Sequence, residues 1–177
     1  MDNQQETYKA FYVAGLFDGE GSLTISRYKR AATDKTMYQA QILFTNTDDR
    51  IIKEYVDFLK HHAIAHHIRA DDRTGKGRKI CYNVQVAALD SQRRWLELMA
   101  PYLVGKKAKA QLLLEFVNRR IGLNKASRQK ASETRLPNGT FSVGGRAPHV
   151  PEDVANYEQM HVLLWGSSET TRVPVVQ

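Results

Sequence analysis

Two segments of strictly alternating side chains constrain this chain more than any other feature. In SLTISRYKR, residues 22–30, Leu23 and Ile25 alternate with Ser22, Thr24, Ser26 and Tyr28. In MYQAQILFTNT, residues 37–47, Ala40, Ile42 and Phe44 alternate with Gln39, Gln41 and Thr45. A period of two belongs to a strand with one buried face. The joining RAATDKT has turn composition, so the spacing predicts a hairpin. HHIRADDR and RKICYNVQVAAL, joined by TGKG, repeat the pattern. Paired hairpins make an antiparallel sheet with one apolar and one polar face.

Helical spacing fills the intervals. Phe11, Val13, Leu16 and Phe17 make a helix from Glu6 to Asp18 apolar over much of its surface, and Gly19 and Gly21 end it. Asn46-Thr47-Asp48-Asp49 has the acceptor and acids of a helix start, with Ile51, Ile52, Tyr55, Val56, Phe58 and Leu59 following to His61. Asp90-Ser91 is predicted to cap a helix through Trp95, Leu96 and Met99 that Pro101 limits. Another helix, Lys106 to Arg120, carries Leu112, Leu113, Phe116 and Val117. From Gly122 to Pro151 the composition turns to Ser, Arg, Gly, Asn and Pro, which predicts a long loop. Pro151-Glu152-Asp153 then opens a last helix to Trp165, and a tail follows. The expected fold is α+β. An αββαββα core over 1–121 has a saddle-like antiparallel sheet with helices on one face. A basic, polar loop over 122–150 and a C-terminal helix and tail over 151–177 complete the same domain.

Composition narrows the class. With 177 residues, 42% apolar and 25% charged, the chain can bury one ordinary core. No apolar run is long enough to span a membrane, and MDNQQETYK is too polar and acidic for a secretory signal. Cys81 is the lone cysteine, which points to a reducing, intracellular setting. The net charge of +7 is concentrated: residues 61–130 hold 15 Lys/Arg against 5 Asp/Glu, while residues 1–60 are nearly balanced. A concentrated cationic region fits a polyanion, nucleic acid above all; a solvated basic surface reads the same way. The polar strand positions are Ser22, Thr24, Ser26, Tyr28, Arg30, Thr45, Gln39, Gln41, Arg69, Asp71, Arg73, Lys79, Asn83 and Gln85. They are rich in side chains that hydrogen-bond base edges, and a two-stranded ribbon fits the major groove.

One stretch carries chemistry. VAGLFDGEG, Val13 to Gly21, ends an apolar helix in two acids between glycines. Ala14 and Gly15 leave room for a second helix to approach the backbone, as in packing about a two-fold axis. Two copies of Glu20 would then converge. Two such charges ~4 Å apart repel by roughly 4 kcal/mol at an effective dielectric of about 20, unless a cation lies between them. Oxygen-ligated Mg²⁺ suits that position. Taken alone, Glu20 reads first as a plain helix-ending acid.

The motif, with the αββαββα order after it, resembles the LAGLIDADG homing endonucleases over residues 7–120. The resemblance implies a site-specific double-strand DNA endonuclease encoded in a mobile intron. It implies hydrolysis with Mg²⁺ held by Glu20 and Gly19, although the family's metal acid is commonly Asp. A single motif implies a homodimer reading a long pseudo-palindromic site, joined through Ala14, Gly15 and Asp18, with Asp18 structuring the helix end. By position, Asp48 (Asn46 alternatively) would orient the attacking water, and Lys106 (Lys107 next) would contact the reacting phosphate. Asp48 also reads as a helix cap. The other reading is a catalytically silent DNA- or RNA-binding maturase or regulator, with intron RNA a possible partner.

Other features are read as structural. His61-His62-Ala63-Ile64-Ala65-His66-His67 is expected to be a solvated turn, not a metal site. Gly75-Lys76-Gly77-Arg78 is expected to be a hairpin turn, and Trp95 and Trp165 core residues. Arg128, Lys130 and Arg135 fall in the expected loop, where they could track a DNA backbone.

Overall fold

The computed structural model describes residues 3–30, 35–72, 74–133 and 147–165. Helix α1 (Asn3–Glu20) leads directly into β1 (Gly21–Arg30), then β2 (Lys35–Asn46), α2 (Asp49–His61) and β3 (His67–Asp71). After a 3-10 turn at Thr74–Lys76 come β4 (Cys81–Val86), α3 (Leu89–Met99), α4 (Lys107–Glu133) and α5 (Pro151–Trp165). The four strands form one antiparallel sheet in the order β1-β2-β4-β3. This is the expected α+β architecture.

The register explains how alternation becomes a core. Leu23 lies opposite Ile42 and Ile25 opposite Ala40; Ile42 then faces Val86, and Phe44 faces Val84. All of these are at most 2% exposed. Against this face each of three helices sends an aromatic ring: Phe17 from α1, Tyr55 from α2 and Trp95 from α3. The Phe17–Trp95 and Phe44–Tyr55 centroids are each 4.4 Å apart. Such tilted pairs add about 0.5–1.5 kcal/mol each beyond the area they bury. Gly21 fits because its α-carbon lies against the Phe17 ring. A Cβ there would come within 2.5 Å of it, so only glycine lets the chain turn from α1 into β1 over that ring.

Several expectations are corrected. Helix α1 continues through Gly19 to Glu20. Helix α4 does not stop at Arg120 but runs on to Glu133. IGLNKASRQKASE contains one glycine and no proline, and its Ala, Leu, Lys, Arg, Gln and Glu are good helix formers; the loop reading gave its serines and asparagine too much weight. Residues 134–146, with Arg135, lie outside the described residues, as does Arg73. The first residue before α3 is Ala88, with no side-chain cap. Ser91 Oγ instead accepts from the Ala65 N–H at 3.2 Å, and Asp90 pairs with Arg93 at 3.7 Å. Trp165 is 77% exposed and not core.

The β1–β2 hairpin outruns the rest of the sheet. β4 pairs only with Ile42–Asn46, so residues 35–41 have β1 as their strand neighbour and none on the other side. Helix α5 supports that overhang. Tyr157 packs on Tyr38 with centroids 5.4 Å apart, and Arg27 lies over the Tyr157 ring. Asp153, fully buried, anchors α5 by accepting from Arg119 at 3.2 Å, Arg120 at 3.1 Å and His149 Nδ1 at 2.9 Å. Arg120 also donates to the carbonyls of Ala147 and Pro148. His149 Nε2 accepts from the Tyr38 N–H at 3.2 Å, which requires a neutral ring with its proton on Nδ1.

Candidate acidic site and nucleic-acid interface

The end of α1 and the start of α4 are stapled by one carboxylate. Asp18 Oδ2 accepts from the backbone N–H groups of Val104 at 2.7 Å and Gly105 at 3.1 Å. Its Oδ1 accepts from Lys106 N–H at 2.9 Å. These donors are the amides of the turn that leads into α4, and the dipole at that end of the helix also favours a negative charge. The Lys106 ammonium returns to donate to the Asp18 carbonyl. Burial lowers the Lys106 pKa, with Asp18 and Glu20 opposing that shift and Lys109 adding to it. Lys106 is therefore half-buried and fixed within electrostatic reach of Glu20. Lys107, one residue on, is exposed.

Glu20 sits on the last turn of α1, exposed, and makes no hydrogen bond or ion pair among the described residues. Its charge opposes the dipole at that end of the helix. The last carbonyls of a helix, that of Gly19 among them, also lack intrahelical donors. Carboxylate and carbonyl oxygens together form a hard donor set that suits Mg²⁺ or Ca²⁺. Among the described residues no three His, Cys, Asp or Glu side chains converge into a metal cluster. The oxygens of one chain thus fit a divalent ion in kind and fall short in number.

The other expected site residues separate. Asp48 caps α2, its carboxylate accepting from Arg50 N at 2.9 Å, Arg50 Nε at 3.1 Å and Arg50 Nη2 at 2.7 Å. The Arg50 guanidinium holds Asp48 down at about 2. Asn46 Oδ1 accepts from Asp48 N–H, forming the turn that leads into the cap. Sequence reading missed Arg50, though an arginine two residues after a capping acid was visible. Ala14 is 1% exposed, packed into its own chain, so it does not line the free side of α1. Asp18 is likewise engaged within the chain. Tyr8, Phe11, Tyr12, Gly15 and Gly19 form the exposed side instead.

The outer face of the sheet carries the polar set. Ser22, Thr24, Ser26, Tyr28 and Arg30 lie opposite Leu43, Gln41, Gln39, Met37 and Lys35. Thr45 and Arg69 flank Asn83, and Gln85 and Asp71 share that face. Thr45 Oγ1 donates to Asn83 Oδ1 at 3.0 Å, so these two are partly satisfied by each other. Lys79 precedes β4 and belongs to the connecting loop. Met37, Leu43, His67 and Cys81 share the outer face and were missed; counting the period through each strand would have found them. His61 pairs with Glu6 and its ring stands edge-on to that of His62 with centroids 4.9 Å apart, His62 packs on Phe58, and His66 Nδ1 approaches the Ile64 carbonyl.

The structure is thus an antiparallel sheet with one helix-covered and one polar face, with an acid-ended helix at its side. The sequence profile of the LAGLIDADG-like domain matches residues 7–100, and the chain belongs to that family. Its fold is that of solved homing endonucleases. The homing endonuclease I-CvuI in complex with its target in the presence of calcium superposes with a TM-score of 0.63 at 17% identity, over 96% of this chain and 90% of that one. The archaeal intron-encoded I-Vdi141I complexed with DNA gives 0.55 at 15% identity, over 89% and 99%. The group I intron-encoded I-CeuI complexed with DNA gives 0.59 at 14% identity, over 87% and 66%. No curated protein sequence matches the chain. No helix among the described residues is long and apolar enough to cross a membrane.

Proposed function

We propose that this chain acts as a homodimeric, site-specific DNA endonuclease of the homing type, cutting both strands of a long pseudo-palindromic site. The observation that carries the reading is the exposed Glu20, without a hydrogen bond or ion pair among the described residues and within electrostatic reach of a Lys106 that Asp18 fixes in place. The exposed side of α1 supports dimerisation. A Cβ at Gly15 or Gly19 would meet nothing within 4 Å of its own chain, so the chain's own packing gives no reason for either glycine. Each costs about 1 kcal/mol in a helix relative to alanine, which a close second helix would explain. Pairing α1 with α1 brings two Glu20 carboxylates together and completes the oxygen set. Bound Mg²⁺ would supply water activation and stabilisation of the leaving 3′ oxygen. Glu20 and the Gly19 carbonyl would hold it. Lys106 would offset charge developing on the phosphate. The outer sheet face would read bases, and Lys/Arg contacts would supply salt-dependent affinity. Encoding within a mobile intron accompanies this reading.

Asp48 favours the second reading, a silent DNA- or RNA-binding maturase or regulator. Its carboxylate is occupied by Arg50 and is not free to orient a water. A selection from a randomised duplex library, sequenced separately for bound duplexes and for cut products, provides the substrate. With it, Glu20→Gln should abolish cleavage while leaving DNA affinity within about twofold of wild type, on the expectation that metal ligation and groove contacts are separable. A wild type that binds its site and never cuts it would establish the silent reading.

A further inference from the structure

The overhang of the β1–β2 hairpin leaves an opening in the sheet. On that open side the Tyr38 N–H is taken by His149 and the Ala40 carbonyl by Gln92, at 3.2 and 2.9 Å, with no strand closing it. A cavity of about 540 Å³ lies there. Its wall joins two regions that a complete sheet would keep apart. Tyr28, Met37 and Gln39 belong to the outer face. Lys125 and Arg128 belong to the second half of α4, in the helix layer. These two cations are three residues apart and so share one side of the helix. Both are exposed, and neither makes an ion pair or hydrogen bond among the described residues. The acid on the same wall, Asp90, is paired with Arg93, and the deeper Arg120 is paired with Asp153.

We propose that Lys125 and Arg128 bind backbone phosphates of the duplex whose bases lie over Tyr28, Met37 and Gln39. The inference rests on the DNA-reading function above and adds a contact surface that the sheet alone does not supply. The cavity is far too small for a duplex, so the contact is made from outside it, by the exposed Lys125 ammonium and Arg128 guanidinium whose residues share its wall with the outer-face residues. Such contacts strengthen binding to every sequence equally and carry no base preference. They are read through salt, because each neutralised phosphate adds roughly 0.9 to the slope of log affinity against log salt concentration.

The test is duplex binding by fluorescence anisotropy at several salt concentrations, comparing wild type with the Lys125→Ala/Arg128→Ala double variant. Lys60→Ala, an exposed cation at the far end of α2, is the control. Because each protomer of the dimer carries both cations, the double variant should lose close to four units of slope per duplex. Its deficit against wild type should be on the order of a hundredfold larger at 50 mM than at 200 mM salt, with an unchanged base-preference profile and unchanged thermal unfolding. The control should match wild type. A double variant with the wild-type slope overturns the proposal while leaving the DNA-binding function intact. Equal slope loss in Lys60→Ala overturns it too, since the effect would then be one of overall charge. A wild type without affinity for duplex removes both readings.

Discussion

At the scale of single residues, Asp18 and Glu20 show how two acids of one motif diverge in role. They are two positions apart, so they leave the helix in different directions. Asp18 accepts from three amides of the turn that leads into α4, and Glu20 makes no hydrogen bond or ion pair among the described residues. Hydrogen bonds to a charged acceptor are worth roughly 1.5–3 kcal/mol each where buried, less where solvent competes. Asp18→Ala should therefore cost about 2 kcal/mol in urea unfolding. It should also slow single-turnover cleavage with little change in DNA affinity, because Lys106 loses the carboxylate that anchors its backbone. A variant as stable and as fast as wild type would show that the staple has no role. The sequence made both acids visible and implied that Asp18 is structural. It could not supply Asp18's partners, because Val104, Gly105 and Lys106 are more than eighty residues away and reach it only through the packing of α4.

At the scale of elements, strands were more legible than helix ends. Alternation over Leu23, Ile25, Ala40, Ile42 and Phe44 placed both strands of the first hairpin and their buried face, because a period of two survives any tertiary context. The end of α4 was not legible, since Gly122 can stop a helix or sit within one, and packing of Arg119 and Arg120 against Asp153 decides. That contact also makes α5 sensitive to pH. Burial first, and the charge of Arg120, lower the His149 pKa, while Asp153 opposes them. An unfolded histidine takes up its proton near pH 6.5 and the folded one only at lower pH. The unfolded state thus binds more protons just below that value, and stability falls as pH drops through it. Protonation also removes the acceptor that Tyr38 N–H uses. Thermal unfolding should shift downward between about pH 7 and 5, and His149→Gln should reduce that shift. The remainder belongs in part to His62, also lowered by burial. An unaltered pH profile in the variant would separate His149 from the effect.

At the scale of the whole molecule, the question is what covers α1. One side is built into the core through Ala10, Val13, Ala14 and Phe17; the other presents Tyr8, Phe11 and Tyr12, each at least 50% exposed, beside Gly15 and Gly19. Gly15→Leu separates folding from assembly, since a side chain there meets open space within its own chain. It should leave unfolding of the chain unchanged or raise its stability by up to about 1 kcal/mol through helix propensity. Sedimentation should report a dimer for wild type and a monomer for the variant, and cleavage should be lost with the dimer. A dimeric, active Gly15→Leu protein would move the interface away from α1.

The sequence by itself determined the element order, the two faces of the sheet and the acid-ended helix, because these follow from local period and from residue type. The tertiary structure alone decided which side of α1 is free, which acid is already engaged, how far α4 runs, and that Lys125 and Arg128 from its second half share a cavity wall with residues of the outer face. Each of those depends on contacts between segments distant in the chain, and such contacts are fixed by packing geometry, which no local pattern encodes.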